Sequence, residues 1–364
     1  MGDIPRLRIF SFIISKSSAL RNADLINSAF FTFFPGKGAA GLLFCTYLLY
    51  YTDTRLCKDG LRGGGNAMFG KRPDGRRVKK IDPVVKITPY VMPMRCDAQV
   101  FLQHRIDWEA MTRYIGRQMQ DKNERLTHMQ IIVAAYVRAV SENPEVNRFI
   151  MNKQYFARNN CSVAFTMLKS PQDADQGETV VSIRFDPSDT LYDVRDRMTA
   201  AVDAARGKNA EPGFVDKLLG VLFGVPGLAT VVVALVRLLD RYGLAPGALI
   251  SELPFYVGMY ITNNASIGLH HVNHHIYNFG DVSMFFGMGL VEKVAVVEKG
   301  ETRMKRFLPI GITADERVCS GAHYARFFAA MEKYLDHPEL LETPPETVRY
   351  DQGLEYHEPK PQKK

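Results

Sequence analysis

Hydrophobic and polar positions change period repeatedly along the chain, and from residue 82 onward the changes read as alternating helices and strands. Trp108, Met111, Ile115 and Met119 recur at helical spacing and predict a helix over residues 108–122. Residues 126–142 (M-Q-I-I-V-A-A-Y-V-R-A-V at their centre) predict a second, richly apolar helix ended by Asn143-Pro144. Short extended pieces follow at 147–150 and 154–157 around an Asn152-Lys153 turn. Residues 162–168 and 179–185 read as strands joined by a polar loop, Q-D-A-D-Q-G. An amphipathic helix is expected over 190–206, capped by Ser188 or Asp189. Further strands are expected at 256–262, 282–288, 291–297 and 308–313, and a last helix at 321–335.

Two stretches depart from this alternation. Residues 218–239 carry one charged residue, Arg237, and Pro226-Gly227 splits them. Each half is too short for a bilayer core of about 30 Å, so a broken helical hairpin is expected, with burial against the core as its setting. A greasy substrate tunnel and a membrane surface are the alternatives. Residues 28–52 form a second apolar run, interrupted by Pro35, Gly36 and Lys37. A Lys near the bilayer centre costs roughly 2.5–3.5 kcal/mol, which makes a span through this run marginal.

Composition narrows the class. Hydrophobic residues make up 46% of 364 and charged residues 23%, as in globular proteins. Five scattered cysteines without a C-x-x-C encode neither a disulfide framework nor a zinc finger, and point to a reducing, cytoplasmic setting. Residues 1–80 hold 14 Lys/Arg against 5 Asp/Glu, and the other 284 residues 32 against 34. The basic excess therefore belongs to the front end, and no nucleic-acid-binding face is expected on the body. The segment 60–80 reads as a linker with a basic flank, either a solvated lead-in or a peripheral contact with anionic lipid. G-K-G-A-A-G at 36–41 matches a dinucleotide-binding spacing but lacks a βαβ setting. Met68 is an internal candidate initiator.

Three segments carry chemistry: N-P-E-V-N-R-F (143–149), I-T-N-N-A-S-I-G (261–268) and P-I-G-I-T-A-D-E-R-V-C-S-G-A-H-Y-A-R-F-F (309–328). Together, and in this order, they resemble the chloramphenicol acetyltransferase-like superfamily, and within it the catalytic domain of the dihydrolipoamide acyltransferases of 2-oxo acid dehydrogenase complexes. The resemblance runs from about residue 82 to 335. It implies a two-layer α/β sandwich with a mixed sheet, the coenzyme A-dependent acyltransferase fold. It also implies homotrimers with active sites between subunits, and coenzyme A or acyl-CoA as substrate.

In that family an H-x-x-x-D-G run supplies a histidine base and an aspartate that pairs with a front-end arginine, while a strand hydroxyl holds the oxyanion. Carried over by position, Thr262 keeps the hydroxyl, with Asn263 and Ser266 beside it as support. Arg95 lies where the arginine is expected, and Gly321 keeps the turn glycine. The base position is Glu316 and the aspartate position is Ser320. Glu316 admits two readings: a base raised by burial toward a thiol of pKa about 8.5, or an ion-pair partner of Arg95. Strand alternation would send Arg317 to the opposite face.

Histidines offer substitutes. L-H-H-V-N-H-H-I-Y-N-F-G-D (269–281) concentrates His270, His271, His274 and His275 directly after the Thr262 strand. His274 or His275 could serve as the base. The i, i+4 pairs would share faces if the segment were helical, but no Glu or Cys completes a metal set, and no metal is expected. His323, two residues past Gly321, reads as structural.

The chain is thus expected to comprise an N-terminal apolar and basic extension with a linker (1–80), an acyltransferase-like domain (81–340) with an apolar insertion at 207–255, and a disordered tail (341–364). The expected function is transfer of an acyl group from a CoA or carrier-protein thioester to an amine, hydroxyl or thiol. The alternative is a trimeric scaffold or thioester-binding protein without turnover.

Overall fold

In the computed structural model, residues 72–170, 173–206 and 220–353 are described. The chain divides into two compact units, Met1–Asn66 and Ala67–Lys364, and every described residue lies in the second. The apolar run at 28–52, the glycines at 36–41 and 63–65, Met68 and residues 354–364 lie outside the described residues.

The elements in chain order are β1 (Gly75–Arg77), α1 (Pro83–Val91), β2 (Gln99–Asp107), α2 (Trp108–Lys122), α3 (His128–Glu142), β3 (Arg148–Met151), β4 (Gln154–Arg158), β5 (Cys161–Ser170), β6 (Asp173–Phe185), α4 (Leu191–Arg206), α5 (Leu228–Arg241), α6 (Gly247–Glu252), β7 (Met259–Asn263), β8 (Met284–Met288), β9 (Glu292–Glu298), β10 (Glu301–Asp315) and α7 (Gly321–Asp336). Seven strands form a mixed sheet in the order β2-β10-β8-β7-β5-β6, with β9 hairpinned onto β10. The pairs β5/β7 and β7/β8 are parallel; the others are antiparallel. A small antiparallel sheet, β1-β4-β3, stands apart.

Strand alternation divides the large sheet into two faces. Met259, Ile261, Met284, Phe286, Ile310 and Ile312 point inward, into one core with residues of α2, α3, α4 and α7. This is the two-layer sandwich. Tyr260 and Phe285 point outward and pack with Ala164, Val257, Ile276 and Val282. The helix starts follow from local chemistry. Thr127 and Gln130 form a capping box at α3, and Asp107 accepts from the Glu109 and Ala110 amides at α2. Asn152 and Lys153 adopt left-handed φ of 46° and 63°, the turn that joins β3 to β4.

Several expectations need correction. The polar loop expected before residue 179 is strand: β6 begins at Asp173, opposite Ser170. α4 is capped by Thr190, whose hydroxyl accepts from the Asp193 amide while Asp193 accepts from Thr190, and not by Ser188 or Asp189. The buried stripe of α2 is Met111, Tyr114 and Gln118, leaving Met119 exposed.

The boundary expected at residue 80 falls inside the domain, because β1 pairs with β4 and Arg72 and Val78 are buried. The tail expected from 341 packs as far as residue 353. Asp351 is buried and paired with both Arg148 Nε and Nη2 at 2.6 Å, and the Gly353 carbonyl accepts from the Lys79 and Lys80 amides.

Most of the apolar hairpin is exposed, contrary to the burial expected. α5 has no buried residue, and Phe223 is 75% and Leu238 53% exposed. Leu222 is buried, and an inner edge, Val236 and Leu239, packs against Ala245, Leu249, Ile250, Leu253 and Tyr256. Among the described residues no helix is long and apolar enough to cross a membrane.

Candidate active site

Register brings one row of residues together on the outer face of the sheet. Thr262 on β7 lies opposite Gly287 on β8, which lies opposite Gly311 on β10. The glycines make room for the histidine-rich segment to cross the row. A Cβ on Gly287 or Gly311 would stand 2.4 or 2.5 Å from the Val272 carbonyl oxygen, and one on Gly289 would stand 2.1 Å from the His271 nitrogen. No side chain larger than hydrogen fits beneath that backbone. The segment is therefore extended, and the i, i+4 histidine pairs do not share a helix face. Among the described residues no group of three or more His, Cys, Asp or Glu is placed to hold a metal ion.

His274 lies flat on the outer face. Its ring stacks on Phe285, with centroids 4.1 Å apart and planes 11° apart, and Phe285 stacks in turn on Tyr260. The Tyr260 hydroxyl is 2.5 Å from Thr166 Oγ1. His274 Nδ1 is 2.8 Å from the His275 carbonyl oxygen. A carbonyl only accepts, so in the neutral ring Nδ1 carries the proton and Nε2 is the acceptor. Thr262 is the next outward-facing residue after Tyr260, roughly 7 Å further along β7. His275, exposed to solvent, stacks on His274 at 4.6 Å and meets the edge of the half-buried Tyr277. His271 Nδ1, Asn264 Nδ2 and Thr313 Oγ1 are buried here without a hydrogen-bond partner. Ser266 donates to the Asn263 carbonyl at 2.6 Å, and both residues are exposed.

The end of β10 anchors this segment from below. Arg95 donates to the Tyr277 carbonyl at 2.7 Å, and its backbone amide donates to Asn278 Oδ1 at 2.8 Å. Its carboxylate partner is Asp315, 3.5 Å away, and neither Glu316 nor Ser320. Burial pulls the Arg95 guanidinium below its usual pKa, opposed by the charges of Asp315 and Asp281. Arg317 also faces inward, holding Asp315 through two bonds of 2.8 and 2.7 Å and donating to the Met92 carbonyl. Glu316 is left exposed between them. The ion pair expected between Glu316 and Arg95 does not form, because Asp315 and Arg317, two apart, share the inner side of the chain. Within one protomer Thr262 and Glu316 do not meet: five residues along β10 and two strand spacings separate them, roughly 15–20 Å.

Gly321 opens α7 with free space around it. Ser320 precedes it, and its Oγ lies 2.6 Å from His323 Nδ1. The sequence reading missed Asp315, whose signal was the D-x-R spacing with Arg317, and Glu145, 3.9 Å from His323 Nε2. Only the fold brings Glu145 there. A cleft lined by His104, Ile106, Phe286, Phe328 and Met331 lies on the inner face against α7, away from Thr262.

Residues 257–343 match the model of the family described as 2-oxoacid dehydrogenases acyltransferase (catalytic domain). The matched segment holds both the I-T-N-N-A-S-I-G and the P-I-G-I-T-A-D-E-R motifs. The likeness to acyltransferase catalytic domains read from those motifs is borne out, and the mixed-sheet sandwich expected from it is the architecture observed. Among solved structures, a probable dihydrolipoamide acetyltransferase from Listeria monocytogenes is similar at 12% identity and a TM-score of 0.44, over 71% of this chain and 93% of that one. A truncated catalytic core of the 2-oxoacid dehydrogenase multienzyme complex from Thermoplasma acidophilum is similar at 12% identity and a TM-score of 0.43, over 72% and 99%. A chloramphenicol acetyltransferase is similar at 11% identity and a TM-score of 0.43, also over 72% and 99%. A comparison with curated proteins finds no match.

Proposed function

We propose that the chain is an acyltransferase that moves an acyl group from a thioester, with coenzyme A or a carrier-protein arm as the thiol, to an amine, hydroxyl or thiol acceptor. The observation that carries this reading is the His274 ring, held in one tautomer beside the Thr262 row. Nε2 takes the acceptor's proton as the acceptor attacks the thioester carbonyl carbon. The Thr262 hydroxyl donates to the oxyanion of the tetrahedral intermediate. Collapse breaks the C–S bond, and the departing thiolate recovers the proton from the imidazolium. His275 supports the ring by stacking. Arg95 and Asp315 hold the Tyr277–Asn278 turn, and with it the base, in place. The reading includes a homotrimer and a reducing, cytoplasmic setting. A peripheral lipid contact at the apolar hairpin is compatible with it.

The test is release of free thiol from acetyl-CoA, with and without a thiol or amine acceptor. His274→Gln should lower turnover by about 10²–10⁴-fold, and Thr262→Ala by about 10²–10³-fold. Exposed Glu316 should tolerate alanine within about twofold, unless it reaches the Thr262 row of a neighbouring copy. A large loss in Glu316→Ala with none in His274→Gln would move the base to the carboxylate. Binding of coenzyme A without turnover in the wild type would favour the non-catalytic alternative.

A further inference from the structure

Outside the Thr262 row, a second group of side chains is arranged for nucleophilic chemistry at the start of α7. Ser320 occupies the N-cap position, yet its side chain caps no backbone amide of the helix. A capping hydroxyl accepts from the second or third amide of the helix. The Ser320 hydroxyl instead lies 2.6 Å from His323 Nδ1. The far nitrogen of that ring, Nε2, lies 3.9 Å from a carboxylate oxygen of Glu145, a buried residue of the turn between α3 and β3.

The roles are mutually consistent. A carboxylate facing Nε2 favours the tautomer protonated there, which leaves Nδ1 to accept from the Ser320 hydroxyl. Burial, opposed by Glu145, lowers the His323 pKa and favours the neutral, proton-accepting ring; Arg326 and Arg148 add to the lowering, and Asp351 opposes it. The Ser320 carbonyl accepts from the His323 and Tyr324 amides, which leaves the Gly321 and Ala322 amides at the open end. Both of these residues are exposed, and nothing lies within 4 Å of a Cβ on Gly321. A carbonyl oxygen arriving there would meet backbone N–H groups at the positive end of a 16-residue helix.

We infer that Ser320, His323 and Glu145 form a nucleophile–base–carboxylate triad that takes an acyl group from an activated ester or thioester onto Ser320 Oγ. The hydroxyl proton passes to His323 Nδ1 as Oγ bonds to the carbonyl carbon. The tetrahedral oxyanion rests on the Gly321 and Ala322 amides. The carbon–leaving-group bond then breaks, and the leaving thiolate or alkoxide takes the proton from the imidazolium, giving an acyl-Ser320 ester. Water, deprotonated by the same ring, hydrolyses that ester and restores the hydroxyl. The logic is that of hydrolase triads, with the two ring nitrogens exchanged in role.

The experiment uses the full chain with a fluorophosphonate probe and with p-nitrophenyl acetate, adducts being mapped by peptide mass spectrometry. A covalent adduct on Ser320 is expected, abolished in Ser320→Ala and slowed about a hundredfold in His323→Gln. Glu145→Gln should slow it less, through the tautomer. Labelling should persist in His274→Gln, which separates this site from acyl transfer at the Thr262 row. In Ser320→Cys, alkylation of the new thiol by iodoacetamide should fall when His323→Gln is added. No adduct on folded wild type, or a Ser320 adduct indifferent to His323→Gln, overturns the inference.

Discussion

Gly311 shows how much a single hydrogen atom decides in this protein. Its missing side chain lets the Val272 carbonyl and the Asn273 side chain sit against the sheet. The crossing of residues 269–276 depends on that contact, and so does the placement of His274. A methyl group there would meet backbone, which cannot swing aside, so Gly311→Ala should cost about 1–3 kcal/mol of stability. It should also lower thioester turnover more than that loss of folded protein explains. Urea unfolding alongside kinetics measures both, and an unaltered midpoint would mean the segment floats free of the sheet. Residue-scale chemistry was partly legible in advance. The I-T-N-N-A-S-I-G motif marks Thr262, and the histidine segment directly after it marks His274 and His275, whereas Glu145 reaches His323 only through the packing of α3 and α7.

At the scale of elements, the apolar hairpin is tied down by charge. Asp240, at the end of α5, shares Arg72 with Asp74 and Asp281, and Arg158 pairs with Asp281 at 2.9 Å. The Phe149 ring contacts both guanidinium groups, each 4.8 Å from its centroid. Three carboxylates around two arginines cannot all ionise cheaply. Burial, with repulsion from Asp281 and Asp74 outweighing part of the Arg72 attraction, pushes Asp240 from 3.8 up to about 6. The unfolded carboxylate releases its proton near 3.8 while the folded one holds it to about 6, so this group's contribution to stability is lost as pH rises through that window. Asp240→Asn cannot titrate. The wild type should lose stability relative to it by on the order of 1–3 kcal/mol between pH 4 and pH 6.5. Urea midpoints at the two pH values check this, and a constant gap would show that Asp240 ionises normally.

At the scale of the whole molecule, the exposed face of that hairpin departs from a solvent-compatible surface. Val221, Phe223, Val225, Val231, Leu235 and Leu238 all stand in water. Replacing Phe223 and Leu238 with lysine should reduce dye binding and self-association while leaving the melting temperature within about 2 °C, since neither side chain leaves a core. A clear fall in melting temperature would place them in a packed interior. The histidine segment forms one wall of the outer-face row, and the proposed trimer would supply the other. Sedimentation should then give a species of three 41.1 kDa chains, and a monomer active at the Thr262 row would remove the need for a partner.

The amino-acid order alone determined the local elements: α2 matched its expected bounds, α3 its stop at Asn143, and the β3–β4 turn its two residues, because periods, helix stops and turns depend on neighbours within a few positions. It also marked the strand and histidine segment that carry the proposed chemistry. Tertiary structure alone decided that Asp315 rather than Glu316 holds Arg95, that residues 72–80 and 342–353 belong to the domain, and that the apolar hairpin keeps most of its side chains exposed. Each of those outcomes turns on which distant charge or surface a residue meets after folding. Hydropathy records how much a side chain would gain from burial, and only the assembled sheets and helices determine whether a place exists to bury it.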